Sequence, residues 1–346
     1  MTNVLTNNQP ARRTDTFPLA ALAALLSVLI VLGIGIGSSF MPPDRVLAAL
    51  LRQSDGPDQV IVWTLRLPRV ALAALAGACL ALAGTILQRV TRNPLAAPSI
   101  LGITDGAAVG VVAFLWTFSD ESNNLTVSVH WLPLAAVTGA AVFTVIVATL
   151  TFADSRSDPT RLILYGVAIG ALAKAAVTIM MILGPVYRAS QALTWLTGSV
   201  GAAHWTDVWT VASVLALSVP LLWLAVLPLT QLQLDPDSAR STGLSLGRSQ
   251  TSLIGLAVLL TAAAVAFVGA IGFVGLIAPH LARRIIAGRG APFLIASATL
   301  GACLVLAADI IARIAIPPLE LPAGALTALF GAPLFLYLLL LRRRPA

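Results

Sequence analysis

Charged residues are scarce in this sequence. They make up 10% of its 346 residues, whereas hydrophobic residues make up 58% and the mean hydropathy is +0.93. A soluble domain carries about 25% charged residues, so the composition excludes an ordinary soluble protein. The sequence therefore predicts an all-α integral membrane protein that lies in a lipid bilayer.

Features of several catalytic and binding chemistries are also missing. Cys79 and Cys303 lie in apolar runs without a CxxC neighbour, which argues against a metal or redox site. The three histidines share no metal-ligand spacing, and no group of residues has a catalytic pattern. No GxxxxGK[ST] loop is present, so this chain is expected to bind no ATP and no other cofactor. If nucleotide hydrolysis drives the activity of this protein, another subunit must supply the ATPase.

The net charge of +7 comes almost entirely from arginine, since Lys174 is the single lysine. The arginines stand in short clusters between apolar runs, as orientation signals do in membrane proteins. No soluble basic face is present to bind nucleic acid. Placing Arg12, Arg13 and Arg342 to Arg344 in the cytoplasm brings most arginine clusters to that side. Both termini are therefore predicted to lie in the cytoplasm, in the inner membrane of a bacterium.

Ten apolar runs predict about ten transmembrane helices, because each crossing needs roughly 20 apolar residues. We expect one membrane domain over residues 17–341, with short cytoplasmic tails at 1–16 and 342–346. The expected spans are 17–39, 67–87, 100–118, 131–152, 162–183, 206–228, 251–270, 274–287, 292–314 and 323–341. The eighth span is short.

Two segments differ from ordinary span and loop sequence. Glycines followed by a proline interrupt apolar sequence where a continuous helix would be expected, at Gly269, Gly272, Gly275 and Pro279. Broken backbone at membrane depth is tolerated only where protein or a cavity covers it, so this segment is a candidate for a translocation path. The polar loop 229–249 contains Asp235, Pro236 and Gly243, which predict the N-cap, the first residue and the end of a short helix.

Few charges lie inside the predicted spans. Lys174 is in the fifth and Asp105 in the third, and Asp309 and Arg313 in the ninth are four residues apart, which allows an ion pair along a helix. Ion-coupled transporters usually place several ionisable groups near the midplane, so support for ion coupling is weak. Four interpretations of Lys174 stay open: a relay residue, part of a cavity wall, a side chain that snorkels to the membrane surface, or a lysine buried in the helix bundle.

Several multi-residue motifs stand out along the chain. They are Leu65-Arg66-Leu67-Pro68-Arg69, Arg92-Asn93-Pro94-Leu95-Ala96-Ala97-Pro98, Gly269-Ala270-Ile271-Gly272-Phe273-Val274-Gly275, Pro279-His280, Ala308-Asp309, Glu320-Leu321-Pro322 and Gly331-Ala332-Pro333. Taken together and in this order, they resemble the permease family of the ABC importers for iron-siderophores, haem and cobalamin. The resemblance runs from about residue 20 to the C-terminus.

The resemblance implies a type II ABC importer permease fold and a set of partners. These are a second permease, identical or different, two cytoplasmic ATPases that bind ATP and Mg²⁺, and an extracytoplasmic substrate-binding protein. It implies that the loop around Asp237, Ser238, Ala239, Arg240 and Gly243 couples to the ATPase. Thr242 stands where the family commonly has leucine.

The resemblance also implies that Arg66, Arg69 and Arg313 meet acidic residues of the docked binding protein. Lipid headgroups, or for Arg313 a local pair with Asp309, are the alternatives. The expected path and gating residues are Gln88, Asn93, Pro94, Gly269, Gly272, Gly275 and Pro279.

These observations favour a permease that imports a ferric siderophore, with cobalamin and haem as alternative substrates. A secondary transporter driven by an ion gradient is a different possibility, which predicts activity from this chain alone. A membrane protein with a structural or assembly role is another, but it gives the glycine-proline break and the capped loop no purpose.

Overall fold

A computed structural model describes residues 16–37, 40–53, 56–119, 125–152, 159–184, 186–286, 290–316 and 319–341. The expected tails, except residue 16, and Arg12, Arg13 and Arg342 to Arg344 lie outside the described residues. The described part is almost entirely helical. Its α-helices are α1 Thr16–Gly35, α2 Pro43–Leu50, α3 Pro57–Val60, α4 Leu67–Val90, α5 Ile103–Thr117, α6 Leu132–Phe152, α7 Pro159–Leu183, α8 Val186–Thr197, α9 Trp205–Gln231, α10 Pro236–Ser241, α11 Leu246–Val268, α12 Val274–Ile285, α13 Gly290–Ile314 and α14 Ala323–Leu341.

Each of the ten predicted spans coincides with a helix. Within the described ranges, seven helices are long and apolar enough to cross a membrane, and α5 and α14 are shorter apolar helices. The eighth predicted span is α12, which has only 12 residues. The prediction of an all-helical membrane protein with about ten spans is confirmed.

The sequence did not predict two features of the helices. The π-helical segment Ile61–Arg66 joins α3 to α4, so one helix runs continuously from Pro57 to Val90. In addition, α8 follows α7 almost directly. Polar residues are interspersed among its apolar ones, so it contains no apolar run by which a span could be recognised.

The helices divide into a central set and a peripheral set. In its most apolar stretch, 78% of the residues of Pro57–Val90 are buried, against 67% in α11 and α13 and 17% in α1. Helix α4 packs against α13, α11, α12 and α9 and forms the axis of the bundle. Helices α6, α7 and α9 expose large apolar side chains such as Leu164 and Leu217, as lipid-facing helices do.

Candidate functional site

Three arginines and two acids form a cluster where α4 and α13 meet the end of α1. Asp309 in α13 accepts from Arg69 Nε at 3.0 Å and from Arg313 Nη2 at 2.6 Å. Arg69 Nη1 also donates to Glu320 Oε2 at 2.8 Å. The predicted pair of Asp309 with Arg313 is therefore confirmed, and Arg69, 240 residues away in sequence, shares the same carboxylate.

The same cluster closes the end of α1. Arg66 Nη1 donates to the carbonyl oxygens of Ile34 and Gly35 at 2.6 and 2.9 Å, and Arg313 Nη1 donates to that of Gly33 at 2.9 Å. The last carbonyls of a helix have no partner within it and carry partial negative charge. The two guanidinium groups supply both the donors and the countercharge that this helix end needs.

Arg66, Arg69 and Arg313 are each less than one tenth exposed. Each already bonds to groups of its own chain, so none projects from the surface as a free donor. Glu320 is different, because 46% of its side chain is exposed. We name these five residues, Arg66, Arg69, Asp309, Arg313 and Glu320, the arginine cluster. Their docking role stays a prediction, and the structure gives the three arginines a second task, which is to hold three helices together.

The predicted break in the apolar sequence is real but shorter than expected. Helix α11 ends at Val268 and α12 begins at Val274, and Gly269 and Phe273 at the two edges have φ of +70° and +65°. Backbone bonds tie the interruption to its surroundings: Ala270 N donates to Trp195 O in α8, and Ser199 N to Val268 O. Gly269 thus lies in broken backbone that protein covers, whereas Gly272 is exposed and a Cβ added there would meet nothing within 4 Å.

Pro279 does not break the chain, which corrects the prediction that the interruption extends to it. It is the sixth residue of α12 and lies inside that helix. A proline removes the hydrogen bond to the carbonyl four residues earlier, here that of Gly275. Gln88 Nε2, which is buried in α4, lies 3.4 Å from Gly275 O and 3.2 Å from Leu276 O, so it supplies a donor in place of the missing one.

Gln88 and Gly275 mark a tight contact between α4 and α12. A Cβ added to Gly84 would lie 1.8 Å from Gly275 O, so only glycine fits there. Arg283 of α12 donates to Gln88 Oε1 from the other side. Gln88 therefore meets Gly275, and Pro279 lies one turn further along α12, while a gating role for the three residues stays a prediction.

The loop that holds Asn93 and Pro94 follows α4 directly. Asn93 Oδ1 accepts from Leu95 N at 2.9 Å and shapes the turn, and both Asn93 and Pro94 are half-buried. The loop ends in a 3₁₀ turn, Pro98–Leu101. The ring of Pro98 lies against Gly275, where a Cβ would approach it to 2.9 Å. The structure thus brings this loop to the contact between α4 and α12.

The same end of α4 reaches the segment before α10. Arg89 Nη1 donates to Leu229 O at 3.3 Å, and Arg92 Nε donates to Leu232 O at 2.9 Å. The sequence gave no signal for these bonds, because they join an arginine side chain to backbone about 140 residues away. They link the Asn93 loop to the start of the predicted coupling loop.

The predicted short helix in loop 229–249 is present as α10. Asp235 is its N-cap and accepts from Ser238 N at 2.9 Å, and Pro236 is its first residue. This bond holds the pKa of the Asp235 carboxyl below its ordinary value. Gly243, with φ of +85°, follows the helix, and Gly243 N donates to Arg240 O.

The side chains of α10 divide between the chain and the surface. Asp237 and Arg240 pair at 2.9 Å with side chains 92% and 64% exposed, and Ser238 is half-buried. Ala239 is fully buried. Its small size therefore allows α10 to pack against its own chain, so a bulky charged residue there would displace α10 before it could act on a partner.

No group of three or more His, Cys, Asp or Glu side chains that could hold a metal ion occurs in the described ranges.

Known proteins resemble this chain over nearly its full length. A model of the FecCD transport family matches residues 25–341. The Probable siderophore transport system permease protein YfhA of Bacillus subtilis (strain 168) is 43% identical over 321 residues, which cover 92% of each chain. The Fe(3+)-citrate import system permease protein YfmE of the same organism is 41% identical, over 92% of this chain and 93% of that protein.

A solved structure is similar as well. It is a chain of an ABC transporter of the metal-chelate type in an inward-facing conformation. The two chains superpose with a TM-score of 0.81 at 29% identity, over 94% of this chain and 99% of that one.

Proposed function

Since the chain belongs to the FecCD transport family and is a permease subunit of an ABC importer, we propose that it carries a ferric siderophore across the membrane. The observation that carries the proposal is the family match over residues 25–341, which covers almost all of the membrane domain. Relatives with more than 40% identity are described as permeases for a siderophore and for Fe(3+)-citrate. Cobalamin and haem are the alternative substrates.

We infer that the transporter contains a second permease, two ATPase subunits that bind ATP and Mg²⁺, and a substrate-binding protein. The end of α4 that holds the arginine cluster faces outward, and α10 faces the cytoplasm, so that both chain termini are cytoplasmic. The membrane is the cytoplasmic membrane of a bacterium. The excess of arginine in the loops on the α10 side supports this orientation.

The binding protein docks at the arginine cluster. Three arginines face two carboxylates there, which leaves one net positive charge, and that charge attracts an acidic partner surface. Arg66, Arg69 and Arg313 act mainly by holding α1, α4 and α13 in position. Glu320 is the most open of the five side chains.

The ATPase docks on α10, where Asp237 and Arg240 are open to a partner. Motion of α10 reaches the path through the bonds of Arg89 and Arg92 to Leu229 and Leu232. These two arginines stand between Gln88 and the Asn93–Pro94 loop, so a shift of α10 alters the contact of the loop with α12. The permease itself is passive, and ATP hydrolysis in the partner subunits drives the cycle.

The substrate can be tested by uptake in a strain that lacks this gene. Radiolabelled ferric siderophores, cobalamin and haem are supplied separately, and uptake is compared with that of the complemented strain. We expect siderophore-bound iron uptake to fall and to return with the gene, while uptake of the other two is unchanged. Loss of cobalamin or haem uptake instead would contradict the siderophore assignment.

A further inference from the structure

The single lysine of the chain lies inside a membrane-spanning helix and points to an acid on another helix. Lys174 Nζ in α7 is 4.0 Å from Asp105 Oδ1 in the first turn of α5. The lysine side chain is 73% exposed and the aspartate side chain 19%. In the part of the chain that the structure describes, Asp105 is the acid that this ammonium group meets.

The ammonium group lies near the middle of α7. Residue 171 is the midpoint of Pro159–Leu183, and helical side chains point back toward the helix N-terminus. Asp105 packs against Gly170, where a Cβ would lie 2.8 Å from Oδ2. The pair therefore holds the ammonium group at the centre of the helix. A snorkelling lysine would instead extend toward Leu183, the nearer end.

The exposed side of α7 is not uniform. Leu164, Leu172 and Ile179 are large, apolar and exposed, which suits lipid. Lys174 lies at one edge of this side, with Ala171, Thr178 and the exposed Val167 as its neighbours along the helix. A charge at membrane depth is costly in lipid and normally faces the interior of a bundle or a water-filled cavity. The charge of Lys174 therefore indicates that this edge of α7 meets water or protein.

Helix α7 packs against part of the predicted path. The 3₁₀ turn Pro98–Leu101 packs against α7, and Pro98 lies against Gly275, next to Gln88. Helix α5 begins directly after this turn and brings Asp105 with it. Lys174 is thus joined by successive contacts to the loop of Asn93 and Pro94 and to the helix after the break.

We propose that Lys174 lines the water-filled path and selects ferric chelates whose outer surface carries carboxylate groups. This inference rests on the importer function proposed above. An ammonium group has three donors, and Asp105 at 4.0 Å is too far to take one by a hydrogen bond. A passing carboxylate can therefore bind the ammonium group, whereas a neutral chelate gains nothing from it. Asp105 is a positioning residue that prevents the ammonium group from turning toward either end of the helix.

The test uses the complete transporter, with its second permease, ATPases and binding protein, in proteoliposomes. Uptake is measured for radiolabelled ferric citrate, for a neutral ferric trihydroxamate and for cobalamin. Lys174→Met removes the charge and keeps the length, Lys174→Gln is a second neutral variant, and Lys174→Arg keeps the charge. Leu172→Ala, on the lipid-facing part of the same helix, is the matched control. ATPase stimulation by the loaded binding protein reports correct assembly.

We expect ferric citrate uptake to fall about tenfold in Lys174→Met and Lys174→Gln, the low end of what a charged cleft does to local ligand concentration. Lys174→Arg and Leu172→Ala should stay within about twofold of the wild type on the same scale, and ATPase stimulation should persist in all four. Unchanged ferric citrate uptake in both neutral variants would overturn the proposal.

The other outcomes separate this inference from the proposed function. ATP-dependent uptake by the wild type of the neutral chelate or cobalamin, without ferric citrate, would overturn the inference and leave the importer intact. Uptake of none of the three substrates would contradict the proposed function itself.

Discussion

At the α1 end of α4, Arg66, Arg69 and Arg313 are less than one tenth exposed and bond to their own chain. At the other end, Arg240 in α10 has 64% of its side chain exposed and bonds to Asp237 three residues away. Arginine therefore holds helices together in the arginine cluster, whereas in α10 it is open to a partner. A buried ion pair that loses one member leaves an uncompensated charge. Substitutions in the arginine cluster should therefore mainly lower stability, and substitutions in α10 should mainly impair coupling.

The largest expected effect is that of Asp309→Asn. Asp309 is 1% exposed and serves both Arg69 and Arg313, so its loss leaves two buried cations short of countercharge. Breaking a buried pair in this way costs about 3–5 kcal/mol. Thermal unfolding of the purified chain in detergent measures the loss. Glu320→Gln is the control, because Glu320 is nearly half exposed and its pair with Arg69 contributes about 0–1 kcal/mol. Equal losses in the two variants would refute the structural role of the cluster.

The same substitution at both ends tests the comparison directly. Arg66→Gln removes charged donors from the carbonyls of Ile34 and Gly35, and hydrogen bonds to charged groups contribute about 1.5–3 kcal/mol. Arg240→Gln removes an exposed pair and should change the free energy of unfolding by less than about 1 kcal/mol. Unfolding of the two variants under identical conditions gives both values. A larger loss of stability in Arg240→Gln than in Arg66→Gln would contradict the contrast between the buried and the exposed arginines.

ATP-driven uptake should depend on the exposed side chains of α10, although they contribute little to stability. Exchanging the charges with Asp237→Arg and Arg240→Asp allows the pair in α10 to form again but reverses the charges that an ATPase meets. We expect ATP-driven uptake to fall about tenfold, equivalent to about 1.4 kcal/mol, with unchanged stability. Arg284→Glu, an exposed arginine near the end of α12, is the control. Normal coupling in the exchanged variant would remove α10 from the ATPase interface.

The smallest effect is expected at the N-cap of α10. Asp235→Ala removes the acceptor of Ser238 N, so amide exchange at Ser238 should quicken locally without global unfolding. The pKa of Asp235 is lowered in the folded chain, so its contribution is complete above the ordinary pKa of aspartate. The contribution is lost as the pH falls through the lowered pKa. Exchange in the wild type should therefore approach that of Asp235→Ala at acid pH, and a difference that persists there would contradict the cap assignment.

The sequence predicted what depends on local pattern. Apolar runs marked the ten helices, the spacing of Asp309 and Arg313 predicted their pair, and Asp235, Pro236 and Gly243 marked α10. These signals act over a few residues, so no knowledge of the packing was needed.

Long-range packing could not be predicted in the same way. The bonds of Arg69 to Asp309 and of Gln88 to Gly275 join residues 240 and 187 apart. Similarly, only the fold shows that Ala239 faces inward. Helix α8 was missed because its polar residues give no apolar run. The docking role of the arginines was expected from the resemblance, whereas the structure shows their side chains bonded to groups of the same chain.

ATP-dependent iron uptake tests the account most directly. The transporter is reconstituted in proteoliposomes with its loaded binding protein, once with active ATPase subunits and once with subunits that bind but do not hydrolyse ATP. We predict accumulation of siderophore-bound iron only with the active subunits, and none from an imposed proton or sodium gradient. Accumulation driven by an ion gradient with the inactive subunits would contradict the account and show that this chain is a secondary transporter.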